Sequence, residues 1–129
     1  MDPATQSTES IKVELGKGVV VTRSRQAGKT HALLEFVRGN DPGNTIVVAC
    51  NNGERINSER RYREMYPDDY RPVFTCIGRV KNEDVLGTCR RWVTDEVWPD
   101  AVIERANAYE THEYLGGVGT PYCMDMHSK

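Results

Sequence analysis

Short runs of β-branched and apolar residues alternate along this chain with segments that have helical spacing. The runs VVVT (19–22), TIVVAC (45–50) and PVFTCI (72–77) are continuous, which is typical of strands covered on both faces. A fourth run, RRWVTDE (90–96), ends in two acids, and EYLGGVGTPY (113–122) predicts a short fifth strand weakened by glycines. Strands that alternate with helices predict an α/β fold, a three-layer sandwich around a mainly parallel sheet of about five strands.

The segments between these runs predict helices. The apolar residues between 33 and 37 share one helical face, and the turn residues GNDPGN (39–44) end that helix. A charged, exposed helix is predicted from about 54 to 65. PDAVIERANAYE (99–110) predicts a further helix with its proline in the first turn.

Length and composition fit a single globular domain. The chain has 129 residues, of which 38% are hydrophobic, and a formal charge of -2, so it carries no overall basic field that would attract nucleic acid. We expect a flexible N-terminal tail over residues 1–15 and one domain over 16–129.

The sequence also bears on location. No apolar run approaches the length of a membrane-spanning helix, and the polar N-terminus MDPATQSTES has no hydrophobic leader. The four cysteines are widely spaced and form no C-x-x-C pair, which favours reduced thiols. We therefore expect a cytoplasmic protein with no membrane partner.

The loop between the first strand and the first helix has the composition of a phosphate-binding loop. The pattern G-x-x-x-x-G-K-[ST] places such a loop between a strand and a helix, and RSRQAGKT (23–30) matches it except that Arg23 replaces the first glycine. Gly28 would let the backbone approach phosphates, Lys29 would neutralise them, and the Thr30 hydroxyl would bind Mg²⁺. The alternative is an ordinary strand–turn–helix whose Lys-Thr pair binds nothing.

The acidic end of the fourth strand is the second signal. Asp95 and Glu96 fall at the carboxyl end of a predicted strand, where the ligand sites of α/β proteins lie. Such acids can hold Mg²⁺ and polarise an attacking water. Taken alone, the pair is equally consistent with two solvated loop residues, but the phosphate-type loop upstream favours a shared site.

Three segments together resemble the phage large terminase ATPases, the motors that package DNA. SRQAGKT (24–30) is similar to their variant phosphate loop, which does without the first glycine. TDE (94–96) resembles their acidic strand motif, and GVGTP (117–121) resembles their third, coupling motif. The resemblance covers residues 19–121 and accounts for Arg23.

The resemblance implies a nucleotide site with a role for each matching residue. Lys29 and Thr30 would contact phosphate and Mg²⁺, while Asp95 would hold the metal and Glu96 would act as the catalytic base. The residues that would bind the nucleotide are Ser24, Arg25, Gln26, Ala27, Gly28, Lys29 and Thr30.

Two further roles follow from the same resemblance. Arg25 would join Glu96 and Lys29 in catalysis, as an arginine finger on the γ-phosphate. Thr120 would sense hydrolysis and pass it to a moving part. Because the chain ends eight residues after Pro121, the nuclease domain of a terminase is not expected here.

The implied function is that of a small phage-type protein that binds and hydrolyses ATP with Mg²⁺. Nucleic acid, a second copy of the chain, or a phage or host protein are the partners implied, and the host cytoplasm is then the location. The segment ERRYRE (59–64) carries arginines for nucleic-acid contact, although its glutamates favour a solvated, salt-bridged face. The alternatives are a non-catalytic accessory protein that keeps the fold to bind a host or virion protein, and a nucleoside or nucleotide kinase.

Overall fold

The computed structural model describes residues 11–23, 28–80, 90–105 and 112–120, and these residues form a five-stranded sheet with helices on both faces. The strands are β1 (Val20–Thr22), β2 (Thr45–Ala49), β3 (Val73–Cys76), β4 (Arg91–Asp95) and β5 (Glu113–Gly119). The helices are α1 (Lys29–Gly39), α2 (Asn52–Met65), α3 (Ile77–Val80) and α4 (Pro99–Arg105), with a 3₁₀ turn at Pro42–Asn44.

All strand pairs in this sheet are parallel, and the spatial order is β1-β5-β4-β2-β3. The predicted α/β fold is thereby confirmed, with a sheet that is parallel throughout rather than mainly parallel. Parallel neighbours require crossover connections, and the β-branched strand runs suit a sheet buried on both faces. The order also places β5, the last of the described strands along the chain, between β1 and β4.

Side-chain alternation along the strands divides the core into two layers. Val47 packs in one cluster with α1 and α2 residues, whereas Ile46 and Val48, its neighbours in β2, pack in another cluster with α3 and α4 residues. Successive side chains of a strand point to opposite faces, so the two clusters lie on the two sides of the sheet. This arrangement is the predicted three-layer sandwich.

The folded domain begins earlier than residue 16. Residues 11–14 are helical, and Ile11 and Leu15 are 0% and 5% exposed within the core cluster that also contains α1. The segment 11–15 therefore differs from the flexible tail expected for residues 1–15. These two buried residues are four apart and share a helical face. Residues 1–10 lie outside the described part of the chain.

Helix α2 begins at Asn52, two residues before its predicted start. The Asn51 side chain accepts a hydrogen bond from the backbone of Glu54 at 2.9 Å, which is the usual way an asparagine starts a helix. The prediction that this helix is exposed is wrong for its inner face, where Ser58 and Tyr62 are 1% and 0% exposed. The buried face of this helix is narrow and flanked by charged residues, so it cannot be recognised from the sequence pattern.

The remaining predicted elements are found with small shifts of their ends. Helix α4 is described as far as Arg105, and the last two residues of the predicted 113–122 segment lie outside the described residues. None of the helices described is both long and apolar enough to cross a membrane.

Candidate functional site

The end of the predicted phosphate loop is described, and it adopts the conformation that the motif requires. Gly28 has φ 76° and ψ 23° and directly precedes α1, a left-handed conformation that favours glycine. Lys29, the first residue of α1, is only 8% exposed. The four predicted loop residues Ser24, Arg25, Gln26 and Ala27 lie outside the described residues.

Asp95 is a buried carboxylate at the end of β4. It is 2% exposed, and its Oδ2 accepts hydrogen bonds from Ser58 Oγ at 3.0 Å and from Thr30 Oγ1 at 3.4 Å. Burial raises the pKa of Asp95 to about 6, against the lowering effect of the Ser58 hydrogen bond. The negative charges of Glu96 and Glu54 add to this increase.

Glu96 follows immediately, and its carboxylate is held on both oxygens. Thr120 donates from its backbone N–H to Oε2 and from its hydroxyl to Oε1, both at 2.9 Å. Lys29 Nζ lies 3.9 Å from Oε1. The Glu96 backbone has φ 63°, which is uncommon for a residue with a side chain. Its N–H donates to the Val118 carbonyl at 2.8 Å, so the strand ladder holds this conformation.

A pocket of about 440 Å³ opens at this point. It is lined by Gly28, Lys29, Thr30, His31, Glu54, Arg61 and Glu96. A volume of this size is ordinary for a small-molecule or cofactor site.

The strand order explains why residues distant in sequence meet here. Lys29 and Thr30 follow β1, Asp95 and Glu96 end and follow β4, and Thr120 follows β5. Because parallel strands place their carboxyl ends along one edge of the sheet, and β5 lies between β1 and β4, all five residues reach the same edge. The structure thus brings together each predicted site residue that it describes.

Helix α2 also contributes residues to the site, which the sequence pattern does not predict. Ser58 hydrogen-bonds Asp95, and Glu54 and Arg61 line the pocket. Their spacing of four and three residues places them on one helical face. That spacing is visible in the sequence, but the helix is charged on every side, and nothing local indicates which face meets the sheet edge.

Thr30 and Asp95 have the geometry and chemistry expected for a magnesium site. Both offer hard oxygen atoms, 3.4 Å apart, and oxygens on neighbouring positions of an octahedral Mg²⁺ lie about 3 Å apart. No group of three or more His, Cys, Asp or Glu side chains within the described ranges is arranged to hold a metal. Mg²⁺ often takes one or two protein ligands and completes its shell with water and phosphate, so the pair is sufficient.

Comparison with known proteins identifies the fold. No protein-family model matches the sequence, and no curated protein matches it significantly. Among solved structures, the chain is similar to the SWI2/SNF2 ATPase core of Sulfolobus solfataricus, solved in complex with dsDNA, with a TM-score of 0.57 and 14% sequence identity. The match covers 91% of this chain and 30% of that chain. The chain therefore shares the fold of part of that ATPase core, and it spans less than a third of this structural neighbour.

Proposed function

We propose that this chain binds ATP with Mg²⁺ and hydrolyses it. The observation that supports this most is the convergence of a phosphate-loop lysine and threonine with two acids from another strand. Lys29 Nζ lies 3.9 Å from Glu96, and Thr30 Oγ1 lies 3.4 Å from Asp95. If the Lys-Thr pair had no ligand, there would be no reason to bury the Asp95 carboxylate beside it, because burial of a charged group costs free energy.

In this proposal the phosphates lie against the N-terminus of α1. Gly28 lets the backbone approach them, and the first N–H groups of the helix point toward them. Lys29 neutralises the β- and γ-phosphates, exchanging its contact with Glu96 for one with phosphate. The loop residues 24–27, including the predicted arginine finger Arg25, complete the nucleotide-binding set.

Thr30 and Asp95 hold the metal ion. The Ser58 hydrogen bond fixes the Asp95 carboxylate so that it faces Thr30. Mg²⁺, when bound, offsets the negative charge that develops on the phosphate oxygens. The pKa of Asp95, raised to about 6 by burial, means that the carboxylate is ionised above that pH and ready to accept a cation.

Glu96 acts as the general base. An attacking water forms a bond to the γ-phosphorus as its proton passes to the Glu96 carboxylate, and the bond to the bridging oxygen breaks so that ADP leaves. Thr120 positions Glu96 through two hydrogen bonds. Since Thr120 is the first residue after β5, a change in the Glu96 contact is transmitted directly to that strand, which suits its predicted coupling role.

The process that ATP hydrolysis would drive is suggested by the proteins that the chain resembles. The motif resemblance to terminase ATPases suggests a phage-type motor or accessory protein, and the SWI2/SNF2 neighbour was solved with dsDNA. We therefore include double-stranded DNA as the first partner to test, followed by a second copy of the chain and a phage or host protein.

The decisive experiment measures ATP binding and phosphate release with Mg²⁺, with and without DNA. Lys29→Ala is expected to lose ATP binding, whereas Glu96→Gln is expected to retain binding and lose turnover by about 10²-fold or more. Binding without turnover in the wild type would favour the non-catalytic accessory protein. Phosphate transfer to a nucleoside would select the kinase. Absence of nucleotide binding by the wild type would refute the proposal.

A further inference from the structure

Helix α2 forms one wall of the pocket and presents an arginine to it. Ser58 Oγ lies 3.0 Å from the buried Asp95 carboxylate, which fixes the side of the helix that faces the site. Arg61 is three residues further on, and residues three apart are neighbours on a helix surface. Arg61 lines the same pocket as Lys29 and Glu96, so a second permanent positive charge borders the space proposed for the phosphates.

Of the other three arginines on α2, two form ion pairs, and the third, Arg60, does not line the pocket. Arg55 and Arg63 both form ion pairs with Glu59, at 3.3 Å and 3.1 Å, and Arg63 also lies over the ring of Tyr70. Among the residues that the structure describes, Arg61 has no carboxylate within ion-pair distance. Its guanidinium is therefore the α2 charge that an anion in the pocket can use.

The two charged α2 residues that line the pocket have opposite signs and lie at different ends of its wall. Glu54 lines the pocket seven residues before Arg61, a separation of two helical turns, or about 10 Å along the axis. A polyphosphate is repelled at the Glu54 end and attracted at the Arg61 end. Ser58 lies within one turn of Arg61 and hydrogen-bonds Asp95, the proposed metal ligand. The terminal phosphates would bind near that metal, at the Arg61 end of the pocket.

We propose that Arg61 binds the terminal phosphate of the nucleotide and makes the site prefer a triphosphate to a diphosphate. This inference rests on the nucleotide site proposed above. The planar guanidinium can donate two parallel hydrogen bonds to one phosphate group. Lys29 is assigned to the β-phosphate, which ADP and ATP share, and to the γ-phosphate, whereas Arg61 is assigned to the γ-phosphate alone. A diphosphate leaves Arg61 without this contact.

The test is calorimetric titration of the full chain with Mg²⁺, using the non-hydrolysable analogue adenylyl imidodiphosphate and, separately, ADP. Arg61→Ala is expected to weaken binding of the analogue at least tenfold, because a charge-assisted hydrogen bond is lost, and to change ADP binding by less than about twofold. Arg61→Lys keeps the positive charge but loses the planar guanidinium that donates two parallel hydrogen bonds. Its affinity for the analogue is expected to lie between those of the wild type and of Arg61→Ala. Arg60→Ala is the matched control, since Arg60 is the preceding exposed arginine and does not line the pocket.

The outcomes separate this inference from the function on which it rests. If the wild type binds both nucleotides and Arg61→Ala weakens both equally, or neither, Arg61 has no selective role and the nucleotide site stands. If the wild type binds neither nucleotide, the proposed function and this inference fail together. A loss in Arg60→Ala equal to that in Arg61→Ala would reduce the effect to general surface charge and overturn the assignment.

Discussion

At the scale of single residues, two buried aspartates in this chain have opposite environments. Asp69 is neutralised by Arg71 and Arg38 and also accepts a hydrogen bond from Tyr62. The Arg71 hydrogen bond, chiefly, holds the pKa of Asp69 well below its usual range. Among the described residues, two hydroxyl groups donate hydrogen bonds to Asp95, and burial raises its pKa to about 6. The first arrangement stabilises the fold, and the second reduces stability while keeping a carboxylate available for a cation.

This difference predicts that Asp95→Asn stabilises the metal-free protein at neutral pH. A carboxyl whose pKa rises on folding contributes stability that is present below its unfolded value, about 3.9, and lost as the pH rises through about 6. The amide carries no such dependence and can still accept the Ser58 bond. At pH 7.5 in EDTA we expect the variant to be more stable by about 1–3 kcal/mol, measured by urea unfolding.

The same measurement at pH 4 provides the control for this prediction. Asp95 is protonated there in the folded state and about half protonated in the unfolded state, so most of the cost of burying the charge is absent and the two proteins should differ little. Equal stabilities at both pH values would mean that burial does not shift this carboxyl. Restoring Mg²⁺ and ATP should reverse the order at pH 7.5, since only the wild type gains from the bound metal.

At the scale of elements, the glycines of strand β5 allow it to pack closely against its neighbours. Gly116 has φ 135° at a bulge opposite Trp92 and Val93. A Cβ added to Gly117 would lie 1.9 Å from Thr94 Oγ1 and 2.8 Å from the Thr94 carbonyl. The sequence predicted a short strand weakened by glycine, and β5 instead has seven residues. The glycines permit its close contact with β4, which a propensity scale based on isolated strands does not describe.

We expect Gly117→Ala to destabilise the protein by about 3 kcal/mol or more. The new methyl group would contact backbone as well as side-chain atoms of β4, so rotation of the Thr94 side chain alone cannot make room. Thermal or urea unfolding would measure the loss. The matched control is Gly39→Ala, where an added Cβ meets nothing within 4 Å; this substitution should be neutral or gain up to about 1 kcal/mol.

The elements also show where prediction from sequence succeeded and where it stopped. Continuous runs of β-branched and apolar residues predicted β1, β2 and β3 to within one residue at each end, because strands that are buried on both faces require apolar side chains at successive positions. The N-terminal segment was misjudged because it is short, and only two of its three apolar residues, Ile11 and Leu15, are buried. The pocket residues on α2 were not predicted because their partners lie elsewhere in the chain, in β4 and α1. The local sequence pattern of a helix does not indicate which distant residues it contacts.

At the scale of the whole molecule, the site depends on the complete sheet. Its residues come from the ends of β1, β4 and β5 and from α1 and α2, so ligand binding should stabilise the domain as a unit. With Mg²⁺ and ATP at about 100 times the dissociation constant, we expect about 2.7 kcal/mol of added stability, seen as a higher melting temperature. Lys29→Ala should show no such increase. An equal increase in that variant would place the nucleotide elsewhere.

The strand order has a consequence for synthesis on the ribosome. Strand β1, which precedes the helix that carries Lys29, joins the sheet through β5. Strand β5 is translated after every other described strand. A nascent chain that has released β1 to β4 therefore holds both acids and the lysine but has no bridge between them. The domain would therefore acquire its affinity for ligand late in synthesis and in a single step, when β5 inserts between β1 and β4, which were translated before it.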